Sequence, residues 1–202
     1  MASGQEHPEA WIHALEHLLA SEFHLGPEVR VRLGDLRGQG ITEMQFHLPV
    51  GGLSPAALSD VLLHDPGVRR IPGGPDWAES LQHWSFPEFT GFLQGFIDLI
   101  FERDGRWYVA DYKSNRLPRY TPSALDRVML ESHYLLQARI YLLALHRHLR
   151  SHLPGYDPDQ HLGGVAYLFV RGFPGQGVWF EAPCRAALDR FDLLFQGSEP
   201  RP

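Results

Sequence analysis

Three charged residues lie inside the most strand-like stretch of this sequence. The stretch is GFIDLIFERDGRWYVADYKSN, residues 95–115, and the charges are Asp98, Asp111 and Lys113. Two apolar runs flank an Asp-Gly pair, a combination typical of a β-hairpin closed by a two-residue type I′ turn. Counting back along both strands from such a turn places Asp98 opposite Asp111.

The hairpin is expected to present all three charged side chains on one face. Residues directly opposite each other share a face, with Cβ atoms about 4.5–5.5 Å apart, and Lys113 follows Asp111 by two positions. Two carboxylates held this close repel each other, so either one takes up a proton or a cation lies between them. The other members expected on this face are Phe96, Ile100, Trp107 and Val109.

Oxygen ligands of this kind suit a hard divalent ion such as Mg²⁺ or Mn²⁺. Such an ion can bind a phosphate, lower the pKa of a bound water and stabilise charge on a leaving oxygen. Lys113 would orient or deprotonate that water and neutralise the phosphate. The pattern therefore predicts phosphodiester hydrolysis. Two other interpretations stay open: solvated charges near the hairpin ends, and a structural domain whose two aspartates share a proton.

Composition limits the class of protein. With 202 residues, 44% of them hydrophobic, the chain can bury one core. Its net charge of −6 argues against unaided tight binding to nucleic acid, though not against receiving a strand from a neighbouring domain. The single cysteine, Cys184, excludes an internal disulfide framework and favours a reducing, cytoplasmic setting. No apolar run approaches the ~20 residues that span a membrane, and the first residues lack the pattern of a secretory signal.

Hydrophobic periodicity assigns elements around the hairpin. Alternation over 41–50 predicts a strand with one buried face, and the apolar run 163–173 predicts a strand buried on both faces. The order of elements predicts an α/β sandwich around a mixed sheet. Helices are expected over 8–23, 54–64, 119–153 with a break near Ser132–Tyr134 and a cap at Thr121, and about 183–195, whereas RRIPGGPDW (69–77) is expected to be a loop.

At these residues the sequence resembles the RecB nuclease-domain family of the PD-(D/E)xK superfamily. The hairpin matches that family's metal-binding hairpin, and the helix YLLQARIYLLALHRHLR carries its Q-x-x-x-Y motif at Gln137 and Tyr141. Similar stretches are ITEMQFHLPV and YDPDQHLGGVAYLFVRG, so the resemblance covers about residues 40–175. It implies an α/β, restriction-endonuclease-like core with a mixed central β-sheet flanked by helices.

The resemblance also implies roles for individual residues. Asp98 and Asp111 would be metal ligands together with the backbone carbonyl of Tyr112, and Lys113 would be the catalytic lysine. Gln137 and Tyr141 lie one helical turn apart and share a helix face. In the family they lie beside the site, where they contact the DNA strand or support the metal ligands. The alternative is a polar pair packed between helix and sheet.

One departure from the family concerns its histidine metal ligand. RecB nucleases carry it on a helix in a G-x-x-x-H segment upstream of the strand at 41–50, and no such segment occurs here. We therefore expect a shortened form without the helicase part and the ligand helix. His13 and His17 have the i, i+4 spacing of a metal-binding pair, but two solvated histidines are the simpler interpretation. Glu43 is either a replacement carboxylate or a surface residue.

Taken together, the sequence predicts an N-terminal helix and connecting segment (1–39), a RecB-type nuclease core (40–196) and a flexible tail (197–202). The expected function is Mg²⁺-dependent DNA hydrolysis of the exodeoxyribonuclease V type, with Mn²⁺ as a substitute ion, in double-strand break repair and recombination. By resemblance, a helicase would feed single strands to the site, and the partners would be other subunits of a RecBCD-type complex. The alternative is a catalytically weak docking domain that binds a recombinase or a partner subunit.

Overall fold

The computed structural model describes residues 12–13, 16–17, 19–26, 29–36, 38, 40–173 and 175–196. Its strands are β1 (Glu22–Leu25), β2 (Val29–Arg32), β3 (Gly40–Leu53), β4 (Phe89–Arg103), β5 (Arg106–Lys113), β6 (Leu162–Phe169) and β7 (Val178–Glu181). The α-helices whose two ends both lie within the described residues are α1 (Pro55–Leu63), α2 (Pro66–Arg69), α3 (Gly74–Ser80), α4 (Pro122–Glu131), α5 (Tyr134–His152), α6 (Pro158–His161) and α7 (Arg185–Gln196).

A five-stranded sheet in the order β3-β4-β5-β6-β7 forms the centre of the fold. Strands β5 and β6 are parallel and the other neighbours are antiparallel, so the sheet is mixed, as the sequence predicts. Helix α5 covers one face, over a core that includes Ile100 and Val109. Strands β1 and β2 form a separate hairpin whose Phe23 and Val31 pack with Phe101 on the other face. The predicted α/β architecture is confirmed.

The β4–β5 hairpin has the predicted register. The ladder runs from the pair Arg103–Arg106 to the pair Leu99–Ala110. Asp104 and Gly105, the two turn residues, have φ angles of 53° and 77°. Positive φ at both central positions is the signature of a type I′ turn, which only residues tolerant of the left-handed region adopt readily.

Strand β4 changes the face it presents to the core at Asp98. Ile97 and Ile100 lie three positions apart yet belong to the same core, although strict alternation would send them to opposite faces. Glu43, opposite Asp98 in the β3–β4 register, has a φ of 52° and interrupts the ladder there. Phe96 consequently points outward and is 57% exposed, so the expectation that it shares the face of the aspartates is wrong.

Several helix boundaries agree with the sequence. Thr121 caps α4 by accepting a hydrogen bond from Ala124 N, with Pro122 in the first turn. The expected break lies between α4 and α5, where His133 adopts a φ of 55°. Strand β6 is buried at every position, as its unbroken apolar pattern indicates.

Two local predictions differ from the structure, which also contains a strand without a predicted counterpart. The stretch 69–77 is not all loop, because α3 begins at Gly74 after a turn at Gly73 with φ 81°. Strand β7 was not predicted from the sequence. The helix expected over 8–23 does not reach Phe23, because Phe23 and Leu25 alternate with exposed neighbours in β1 and are buried. Parts of that helix, and the expected tail at 197–202, lie outside the described residues, and the domain boundary at residue 39 stays a prediction.

A buried ion-pair network fixes helix α5 in place. The Arg139 side chain lies in the interior, where Nε donates to Asp65 Oδ2 at 2.5 Å and Nη2 donates to Glu181 Oε1 at 2.7 Å. Asp65 also accepts a hydrogen bond from Gly67 N at 2.7 Å, which caps α2. Buried charges are tolerated only when they are paired. The ion pairs of Arg139 with Asp65 and Glu181 therefore tie α5 to the start of α2 and to β7. In the described part of the chain, no helix has the length and apolar character to span a membrane.

Candidate active site

Asp98 lies where the β4–β5 ladder ends. Its half-buried side chain accepts a hydrogen bond from Tyr112 N through Oδ2, at 2.9 Å, one step beyond the pair Leu99–Ala110. The carboxylate thus takes the place of a backbone acceptor and fixes the main chain between Asp111 and Lys113. The ring of Tyr112 is 41% exposed, so only the backbone of this residue is tied to the site.

Asp111 is the buried carboxylate of the site, only 2% exposed. Lys113 Nζ lies 2.6 Å from its Oδ2, but outside hydrogen-bonding geometry, and no other described group donates to that oxygen. Burial raises the pKa of Asp111; Lys113 lowers this pKa in part, and Asp98 raises it further. The two aspartates therefore interact electrostatically, as their register predicts.

Lys113 is held by three groups besides Asp111. Its Nζ donates a hydrogen bond to Gln137 Oε1 at 3.0 Å. The same atom lies 4.1 Å from the centroid of the Tyr134 ring and 5.2 Å from that of the Tyr167 ring. A cation facing aromatic rings at these distances is attracted by their quadrupoles, so the ammonium group has a defined place in the site.

Gln137 links these groups into one network. Besides accepting from Lys113, its Oε1 accepts from Tyr167 OH at 3.1 Å, and its Nε2 donates to Tyr141 OH at 2.7 Å. Burial, followed by the charges of Asp111 and Asp98, raises the pKa of Tyr141 to about 12, so this phenol is protonated at neutral pH. The structure therefore brings together all the site residues predicted from the sequence: Asp98, Asp111, Tyr112, Lys113, Gln137 and Tyr141.

The other candidate ligands do not join this network. Glu43 is exposed and makes no described hydrogen bond to the site. His13 and His17 are also exposed, and His13 Nδ1 lies 3.7 Å from Glu16 Oε2. Over the described ranges, no three His, Cys, Asp or Glu side chains are grouped so that they could share an ion. The interpretation of His13 and His17 as solvated residues fits these positions.

Sequence reasoning missed Tyr134 and Tyr167. Tyr134 precedes Gln137 by three positions, on the helix face that also carries Tyr141, and this spacing was an available signal. Tyr167 lies in β6, and no motif or spacing in the sequence links it to the other site residues. Lys113 is also the only lysine of the chain, since all the others among its 18 basic residues are arginines. Lysine and arginine differ in shape, hydration and acidity, so they are not interchangeable in such an enclosed place.

The donor set fits a hard divalent cation. The two carboxylates are oxygen donors, the type that hard divalent ions prefer. The buried Oδ2 of Asp111 forms an ion pair with Lys113 but no hydrogen bond of good geometry within the described structure, and the nearby Asp98 raises the pKa of Asp111. A bound cation would coordinate this oxygen. It would also offset the repulsion between the carboxylates of Asp98 and Asp111.

Comparisons with known proteins agree with this geometry. The family model for the PD-(D/E)XK nuclease superfamily matches residues 4–196. Among curated proteins, the RecBCD enzyme subunit RecB is 38% identical over 165 residues in Escherichia coli, 36% over 197 in Haemophilus influenzae and 42% over 171 in Mycolicibacterium smegmatis. These alignments cover 77%, 93% and 76% of this chain, but only 13%, 15% and 16% of the respective relatives. The chain therefore belongs to the PD-(D/E)XK nuclease superfamily, as a RecB-type nuclease domain.

Proposed function

We propose that this domain hydrolyses phosphodiester bonds in DNA with the help of Mg²⁺, for which Mn²⁺ can substitute. Members of the superfamily to which it belongs generally use divalent metal ions. The observation that carries the proposal is the buried Asp111 carboxylate, which lies next to a second carboxylate and 2.6 Å from the Lys113 ammonium group. This combination fits a bound cation better than it fits a purely structural role.

Asp98, Asp111 and the backbone carbonyl of Tyr112 would hold the ion. When bound, the ion supplies Lewis-acid stabilisation of the phosphate and an acidified water. The hydrogen bond from Tyr112 N to Asp98 Oδ2 fixes the main chain directly before the carbonyl that would be the third ligand, so part of the proposed ligand set is ordered by the protein itself. Such preorganisation reduces the cost of binding.

Lys113 would act on the attacking water and on the phosphate. Its ammonium group lies 2.6 Å from Asp111 Oδ2, so it adjoins the proposed ion site and can neutralise charge that develops on the phosphate. As an ammonium group it is also placed to orient the water, whereas deprotonating the water would require its neutral amine form. Tyr141, protonated and in contact with Gln137, has an O–H that can support a ligand or contact a phosphate oxygen.

The wider function we propose is degradation of DNA in double-strand break repair and recombination. Support comes from the curated relatives, which are subunits of the RecBCD enzyme. The net charge of −6 fits a domain that receives a strand already held elsewhere rather than one that captures DNA unaided. Single strands delivered by a helicase within a RecBCD-type complex are the substrate that we propose.

The test is cleavage of a labelled single-stranded oligonucleotide by the purified chain. Cleavage is expected with Mg²⁺ or Mn²⁺, is expected to stop when EDTA is added, and should return when excess metal is restored, because the ion supplies several kcal/mol of transition-state stabilisation. A folded chain that binds neither ion and cuts no DNA would overturn the proposal.

That negative outcome would favour docking as the second candidate function. One observation supports an interface: Phe92 and Phe96, on the same side of β4, are 69% and 57% exposed. Large exposed apolar side chains that lie close together mark interaction sites more often than isolated ones do. In this case the domain would bind a recombinase or a partner subunit of a RecBCD-type complex.

A further inference from the structure

The two tyrosines around Lys113 have no part in the chemistry proposed above. Lysine has a flexible four-carbon stem and a strongly hydrated head group, and its side chain loses considerable freedom when fixed. In this domain the Lys113 side chain is nevertheless only 14% exposed. Something must hold the head group in place where bulk water is largely excluded.

The rings of Tyr134 and Tyr167 form the wall behind the ammonium group. Their centroids lie 5.6 Å apart with an interplanar angle of 26°, and Lys113 Nζ faces both. Asp111 and Gln137 occupy other directions around the nitrogen. The head group is therefore held by one carboxylate, one amide oxygen and two aromatic faces.

Each ring is itself anchored by its hydroxyl group. Tyr167 is fully buried and donates to Gln137 Oε1, the atom that also accepts from Lys113. Tyr134 donates to Asn115 Oδ1 at 3.2 Å, two residues beyond the lysine. Tyr134 is therefore tied to the segment that carries the lysine, and Tyr167 to the amide oxygen that the lysine also contacts.

We propose that Tyr134 and Tyr167 are positioning residues that fix the Lys113 ammonium group beside Asp111. The inference rests on the proposed function for its consequence in catalysis, but the arrangement can be tested without any cleavage. Removing the Tyr134 ring should release the head group, because the remaining contacts leave the nitrogen open on one side. Removing only its hydroxyl should not, because the aromatic face stays in place.

The first test is a spectroscopic one on the metal-free chain. Because Lys113 is the only lysine, protein labelled with ¹³C-lysine gives a single ε-methylene signal in NMR spectra. Its protons should be shielded by the tyrosine rings and shifted upfield from those of free lysine. In Tyr134→Leu the signal should move toward the free-lysine position, whereas in Tyr134→Phe it should keep most of its upfield shift.

The second test is kinetic. Tyr134→Leu is expected to lower kcat about thirtyfold, the size of a desolvated cation–π contribution, with KM nearly unchanged because the ring does not bind substrate. Tyr134→Phe should retain most of the activity. Tyr108→Leu is the matched control, because Tyr108 is a buried tyrosine that stacks on Phe101 on the other face of the sheet. It should lower thermal stability without lowering kcat.

Three results would overturn the inference: an unshifted lysine signal in the wild-type chain, an unchanged signal in Tyr134→Leu, or an equal loss of kcat in Tyr134→Phe and Tyr134→Leu. Tyr167→Phe provides a further check, because it keeps the ring but removes the hydrogen bond to Gln137 Oε1. A moderate downfield movement of the lysine signal is expected in this variant. If the wild-type chain cuts no DNA while the signal behaves as described, the positioning role stands and the proposed function fails.

Discussion

Asp111→Asn is expected to abolish Mg²⁺-dependent cleavage while it stabilises the metal-free protein. The activity should fall at least about a thousandfold, because a neutral amide is a poor ligand and the transition state loses the several kcal/mol that the ion contributes. The measurements are single-turnover cleavage of an oligonucleotide and thermal unfolding in EDTA. Loss of activity together with unfolding would not support a role in catalysis.

The expected gain in stability follows from the pKa of Asp111. Burial raises it above the ordinary value of 3.8, so the ionised side chain is less favourable in the folded state than in the unfolded state. Its favourable contribution is complete below the unfolded pKa and is lost as the pH rises through the raised folded pKa. Asn mimics the protonated form, so the advantage of the variant should be present at pH 7 and should disappear in acid.

Asp192 supplies a matched control of opposite sign. It is also buried, but Arg147 and Arg150 pair with it and lower its pKa despite the opposing effect of burial. Its contribution to stability is present above the unfolded pKa and is lost as the pH falls through the folded pKa. Asp192→Asn should therefore destabilise the chain at pH 7 without altering the rate of cleavage per folded molecule. If both variants destabilise the metal-free chain, the account of Asp111 is wrong.

Lys113→Met is expected to lower kcat by about 10²–10³-fold, the range for losing a general acid–base group or a preorganised positive charge. Binding of Mn²⁺ at the two aspartates should persist, because the lysine is not among the proposed ligands. Calorimetric titration with Mn²⁺ beside the cleavage assay separates the two effects. A variant that loses metal binding and cleavage together would contradict the separate role assigned to Lys113.

Arginine should not replace this lysine. Lys113→Arg keeps the charge, but a planar guanidinium is larger than the ammonium that fits between the Tyr134 ring and Gln137, and it does not give up a proton. We expect its kcat to fall close to that of the methionine variant. Arg190→Met, which removes an exposed positive charge on α7, is the control and should leave kcat unchanged.

The hairpin could be predicted because its information is local. The Asp104-Gly105 pair determines the turn, and the turn determines which residues of the two strands lie opposite each other. The face change at Asp98 could not be predicted in the same way. It depends on the positive φ of Glu43 in a different strand, and nothing in the alternation of β4 indicates where a neighbouring strand departs from regular geometry.

The groups around Lys113 also show that contacts between distant segments are hard to predict from the sequence. Gln137 and Tyr141 could be predicted because a motif on one helix identifies them. Tyr167 could not be predicted, because it reaches the site only through the parallel pairing of β5 with β6. Strand β7 has only four residues, and the sequence pattern did not distinguish it from a loop. Contacts that depend on packing between distant segments leave little trace in local periodicity.

Crystals of the chain soaked in Mn²⁺ offer the most direct measurement of the proposed metal site. Anomalous density is expected between the carboxylates of Asp98 and Asp111, with the carbonyl of Tyr112 as a further ligand and the ammonium group of Lys113 beside it. Crystals in which the ion occupies another place would contradict this arrangement. So would crystals with no ion, in which the two carboxyl groups share a proton.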